Sequence, residues 1–125
     1  KDERMLTSIA SSYQQAREFK EAADYYGQSA LLASDPDLYQ KQGMVYYALE
    51  RYSDAITALQ KALDGGSDKT GAIHLAMMQA NFDKGDFRSA YKHVKEAKKD
   101  SSTARNARSW EPYIKEKAKN RNIKL

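Results

Sequence analysis

Chemistry needs a nucleophile or an acid–base group together with a partner that orients it, and few residues of this 125-residue chain qualify. There is no cysteine, which excludes disulfides, thiolate metal ligands and a thiol nucleophile and leaves the redox compartment open. The two histidines, His74 and His93, form no His-x-x-x-His pair, and no acidic spacing accompanies them, so no metal centre is expected. His93 stands between Lys92 and Val94 with Lys95 close by; each histidine reads as packed or solvated rather than as a ligand or a catalytic base. A nucleophile elbow and a phosphate-binding glycine loop are both missing from the sequence. No residue set supports an enzyme or a cofactor.

Nine tyrosines among 21 Lys and Arg residues raise a different chemistry, the stacking of nucleic-acid bases beside phosphate-binding cations. The cations are unevenly placed. Residues 1–100 carry 14 Lys/Arg against 15 Asp/Glu, whereas residues 101–125 carry 7 against 2. The net charge of +4 therefore belongs to the tail, in Lys115, Lys117, Lys119, Arg121 and Lys124. No aromatic is interleaved among those five, so they read as a solvated helix face, with an anionic partner (nucleic acid, an anionic membrane, an acidic protein) as the alternative.

The length favours one domain, 1–125, large enough to bury a core without staples. Mean hydropathy is −0.85 and the apolar runs are too short to span a bilayer. The opening Lys1-Asp2-Glu3-Arg4, without Met or an apolar signal region, suggests an excised or processed segment of a longer protein.

The elements show themselves through repetition. Apolar residues recur at three- and four-residue spacing without strand-like alternation. Shifting the chain by 33 residues carries Ala10, Tyr13, Phe19, Ala22, Tyr26 and Ser29 onto Gly43, Tyr46, Tyr52, Ala55, Leu59 and Ala62. A further 35 carries Tyr52, Ala55, Leu59 and Ala62 onto Phe87, Ala90, Val94 and Ala97. Small residues where two helices cross, with large ones beside each crossing, let antiparallel rods approach closely. Such a period, with two helices in each unit, belongs to helix-pair repeats. On Gly43-x-x-Tyr46, Arg51-Tyr52-x-x-Ala55 and Leu59-x-Lys61-Ala62-Leu63, echoed by Gly85-Asp86-Phe87-x-x-Ala90, the chain resembles the tetratricopeptide repeat (TPR) family over about residues 3–100. The third unit departs at Met78 and Asn81, which replace the small residue and the tyrosine.

The expected fold is all-α, an α-solenoid of three TPR helix pairs plus a C-terminal capping helix. Repeats are placed at about 3–35, 36–68 and 69–102, with helices at about 3–16, 19–32, 36–49, 52–64, 69–84 and 87–99. Asp35-Pro36 predicts a sharp start for the second unit, and Gly65-Gly66-Ser67-Asp68 a stop followed by a new N-cap. Ser101-Ser102 are expected to cap a seventh helix at about 103–120, with Trp110 as its anchor, a kink from Pro112 near 108–112 and fraying from Asn120 to Leu125. The segment Ala107-Arg108-Ser109-Trp110-x-x-Tyr113-Ile114 is similar to the end of bacterial TPR proteins that accompany TonB-type systems. That resemblance implies a periplasmic protein supporting outer-membrane uptake; a cytoplasmic location is the alternative.

The TPR resemblance also implies that partner peptides lie on the first helix of each pair. This places Ser11 and Gln14, then Gln40, Lys41, Met44 and Tyr47, then Gln79 and Phe82, in a peptide-binding groove. Glutamine amides both donate to and accept from an extended backbone, and Met44, Tyr47 and Phe82 supply apolar anchors or pad the stack. A TPR subfamily grips a C-terminal carboxylate with two lysines, two asparagines and an arginine. Those positions here hold Thr7, Ser11, Lys41, Ala72 and Ala76, which disfavours that use. The reading is a non-catalytic scaffold for a protein or peptide partner. Alternatives are a basic-tail adaptor, or a homo-oligomer formed through the stack ends or the capping helix.

Overall fold

The computed structural model describes residues 2–125, and every regular element among them is a helix. They are α1 (Glu3–Gln15), α2 (Phe19–Ala33), α3 (Pro36–Ala48), α4 (Tyr52–Asp64), α5 (Thr70–Lys84), α6 (Phe87–Ala97) and α7 (Ala104–Asn120). These group into two compact units, Lys1–Ser67 and Asp68–Leu125. In the first, α1 packs on α2, α2 on α3 and α3 on α4; in the second, α5 packs on α6 and α6 on α7.

Small residues sit at the helix crossings, as their recurrence predicts. Ala10, Ala22, Ala55, Ala62, Ala90 and Ala97 are all fully buried. At Gly43 a Cβ would lie 2.8 Å from Leu59 Cγ and 3.2 Å from the Ala55 carbonyl, so α3 and α4 meet at a distance that only hydrogen permits. The large partners Tyr26, Leu59, Phe87 and Val94 are buried beside them. Met78 and Asn81 keep the third unit in register. Both are buried, and Asn81 satisfies its amide on the Met77 carbonyl at 2.9 Å.

One turn ends the first helix of every pair. Arg17, Glu50 and Gly85 occupy equivalent positions in the repeat, and all three adopt positive φ (62°, 59° and 94°). The following N–H donates five residues back, from Glu18 to Tyr13, from Arg51 to Tyr46 and from Asp86 to Asn81. Asp35 caps α3 by accepting from the Asp37 N–H at 2.9 Å, with Pro36 at the first turn.

Several cap expectations need correction. Ser67 and Asp68 do not cap α5, whose N-cap is Lys69 without a capping side chain. The cap comes from the α6–α7 turn, where the Asp100 carboxylate accepts from the Gly71 N–H and from Ser102. Nor do Ser101 and Ser102 cap α7. Its N-cap is Thr103, whose hydroxyl donates to the Ala97 carbonyl at 2.8 Å. The helix continues through Pro112, which forfeits one helical hydrogen bond. The chain end was expected to fray; instead Asn122 turns it back at φ 56°. Ile123 N–H donates to Ala118, and Arg88 Nε donates to the Lys124 carbonyl at 2.8 Å.

Candidate functional site

In the first unit the expected groove residues lie on α1 and α3. Helix α1 presents Ser11 and Gln14, but both are engaged. The Tyr26 phenol, 2% exposed, donates to Gln14 Oε1 at 2.7 Å. Burial pushes the Tyr26 pKa up, while a hydrogen bond from Ser11 works against that rise. On α3, Gln40 and Tyr47 are half-buried, Lys41 is exposed and Met44 is 47% exposed. The Tyr47 ring lies 5.6 Å from Tyr52 of α4. Between these residues Gln42 turns the other way and donates to the Ala23 carbonyl of α2 at 3.2 Å, entering space that Gly27 leaves open. Outward presentation of Lys41 and Met44, beside inward stapling by Gln42, follows from helical periodicity.

In the second unit Gln79 is half-buried on α5. Phe82 packs among aromatic rings, with centroids 5.3 Å from Phe87, 5.6 Å from Trp110 and 5.3 Å from Tyr113. Its ring thus seats α7, with Trp110 in the anchoring position foreseen for it.

The tyrosines outside the repeat positions also find partners. Tyr25 stacks on Tyr13 at 5.6 Å, and Tyr91 lies beneath Lys95 and Lys115. The tail cations therefore do have aromatic neighbours, two of them on α6 and one on α7 itself. Lys117 sits over Tyr113 and Arg121 over Phe87.

One pair escaped the sequence reading, which took each histidine separately. His74 of α5 and His93 of α6 bring their Nδ1 atoms to 3.0 Å, so one neutral ring donates to the other. Burial first, then the neighbouring His74 and Lys92, push the His93 pKa down to about 4, against the pull of Glu96 and Asp86. Burial also lowers His74, opposed by Glu96. Spacing alone does not mark the pair, since His74 lies 11 residues before the turn residue Gly85 and His93 lies 8 after it; the contact comes from how α5 packs on α6. Among the described residues no group of three or more His, Cys, Asp or Glu side chains is placed to hold a metal ion. No described helix is long and apolar enough to cross a membrane.

No protein-family model matches the chain, and no curated protein sequence matches it. Solved structures do. The first TPR of Spaghetti (RPAP3), bound to the HSP90 peptide SRMEEVD, is similar with a TM-score of 0.79 at 16% identity, covering 92% of this chain and 91% of that one. The fold is that of TPR domains. The N-terminal domain of stress-induced protein-1 from C. elegans gives 0.76 at 14% identity, over 87% of this chain and 94% of that one. The Sgt2 TPR domain from Aspergillus fumigatus gives 0.74 at 20% identity, over 95% and 82%. The all-helical repeat architecture read from the sequence is thus shown.

Proposed function

We propose that the chain is a non-catalytic protein-interaction module that holds a peptide segment of a partner on the outward face of α3. The observation that carries this reading is Met44, a flexible apolar side chain left 47% exposed beside exposed Lys41 and the half-buried Gln40 and Tyr47. A methionine adapts its shape to a ligand, a glutamine amide serves either sense of backbone hydrogen bond, and a lysine selects against cationic partners. The TPR structure bound to an HSP90 peptide supports peptide capture by this fold. Capture of a terminal carboxylate by a cationic clamp is not part of the proposal. Of Thr7, Ser11, Lys41, Ala72 and Ala76 only Lys41 is cationic, and Thr7 is spent on the Glu3 carbonyl at 2.7 Å and on Ser29.

A role beside a bacterial envelope transport system rests on the Ala107–Ile114 segment alone. It is a finer proposal, tested by whether the native protein fractionates with the periplasm.

The test selects peptides from a random library on the immobilised chain and compares their Kd for wild type and Met44→Glu. A charge at the centre of the apolar contact should weaken binding at least tenfold, about 1.4 kcal/mol, with helicity and Tm unchanged because Met44 is exposed. Equal affinity for the variant would remove α3 from the site.

A further inference from the structure

A second site is built in the Asp68–Leu125 unit from residues that the proposed peptide site does not use. Tyr91 of α6, Lys115 and Lys119 of α7, and the returning segment Asn122–Leu125 line an open surface cavity of about 660 Å³. Its third wall is fixed in place. The left-handed turn at Asn122, the Ile123–Ala118 hydrogen bond and the Arg88–Lys124 bond hold the segment against α6. The charged side chains lining it are Lys115, Lys119 and Lys124. Lys95 adds a fourth ammonium at the rim, 4.8 Å from the Tyr91 ring centroid, where Lys115 lies at 5.7 Å. The Glu111 carboxylate is bonded to Lys98 at 2.9 Å and is held below the usual range chiefly by that bond, with Lys115 and Lys95 adding to it. Cations gathered around one cavity repel each other, and an anion placed among them removes that repulsion.

We propose that this cavity binds a small, multiply charged phosphate-bearing ligand. The ammonium groups of Lys115, Lys119 and Lys124 neutralise its phosphates, while the Tyr91 face and Ile123 flank its body. Lysine ammoniums act as point charges, and three lysines lining one volume suit charge concentrated within a few ångströms. An acidic peptide instead spreads its carboxylates along the chain by about 3.3 Å per residue. A single aromatic ring gives no ladder for successive bases, which disfavours single-stranded RNA. The volume falls in the range of small-molecule sites.

The test is calorimetric titration of the whole chain with inorganic tripolyphosphate, ATP, pentaglutamate and an oligouridylate. Saturable 1:1 binding of tripolyphosphate is expected. The double variant Lys115→Gln/Lys119→Gln should weaken it at least tenfold, and Lys20→Gln/Lys84→Gln, which removes equal charge elsewhere, should leave it within twofold. ATP binding more tightly than tripolyphosphate, with the difference abolished by Tyr91→Ala, assigns a nucleotide-like body; equal affinity assigns the phosphates alone. The site is overturned by absent saturation, by equal losses in the two double variants, or by tighter binding of pentaglutamate or RNA. Circular dichroism of each variant separates lost binding from lost fold.

Discussion

A methyl group is the largest side chain that fits at Ala22, Ala55 and Ala90, because each is fully buried where two helices cross. Ala55→Leu adds three carbons there and is expected to cost about 1–3 kcal/mol, read as a lower urea midpoint; an unchanged midpoint would place Ala55 outside the crossing. These alanines were readable because they recur. The His74–His93 pair does not recur, and it appears only when α5 is folded against α6. Its consequence is a pH dependence with a definite sign. With the His93 pKa lowered to about 4 in the folded state, the unfolded chain binds the proton first as pH falls below about 6.5. Stability is therefore complete above that value and declines between pH 6.5 and 4. Below about 4.5, Asp86, Glu96, Asp100 and Glu111, all lowered in the fold, add losses of their own. Urea midpoints between pH 7.5 and 5.5 should fall for wild type and stay flatter for His93→Phe. Parallel profiles would show that the pair does not set this slope.

Helix ends show how far local sequence determines an element. Asp35-Pro36 acts within three residues, so its capping role was visible before folding. The α5 cap was not, since its acceptor, Asp100, comes from beyond the next helix, where Gly71 lets the chains meet. The same holds for the chain end, tied back by Arg88 of α6. The turn shared by Arg17, Glu50 and Gly85 gives a prediction at this scale. Left-handed backbone at a non-glycine residue costs about 1 kcal/mol, and the third repeat already uses glycine there. Glu50→Gly is thus expected to stabilise the chain by about 0.5–1 kcal/mol, less the extra unfolded-state freedom of glycine. A lower Tm would mean that the Glu50 side chain contributes more than its backbone strain removes.

For the molecule as a whole, the sequence made the helix pairs readable through their period, and solved TPR structures match them at 14–20% identity. Surface chemistry was only partly readable, because a groove position in the repeat says where a side chain starts and not what it meets. Gln14 is held by Tyr26 and Phe82 by the α7 aromatics, whereas Lys41 and Met44 are exposed. No aromatic interleaves the five tail cations in sequence, because the ring beneath Lys115, Tyr91, lies more than twenty residues upstream. A rival docking patch exists on α2, where Leu31 is 75% exposed and Leu32 is 59% exposed. The decisive measurement is the set of backbone amide shift changes on titrating a library-selected peptide into the labelled chain. The largest changes are predicted at Gln40, Lys41, Met44 and Tyr47; changes concentrated at Leu31 and Leu32, with α3 unmoved, would contradict the account.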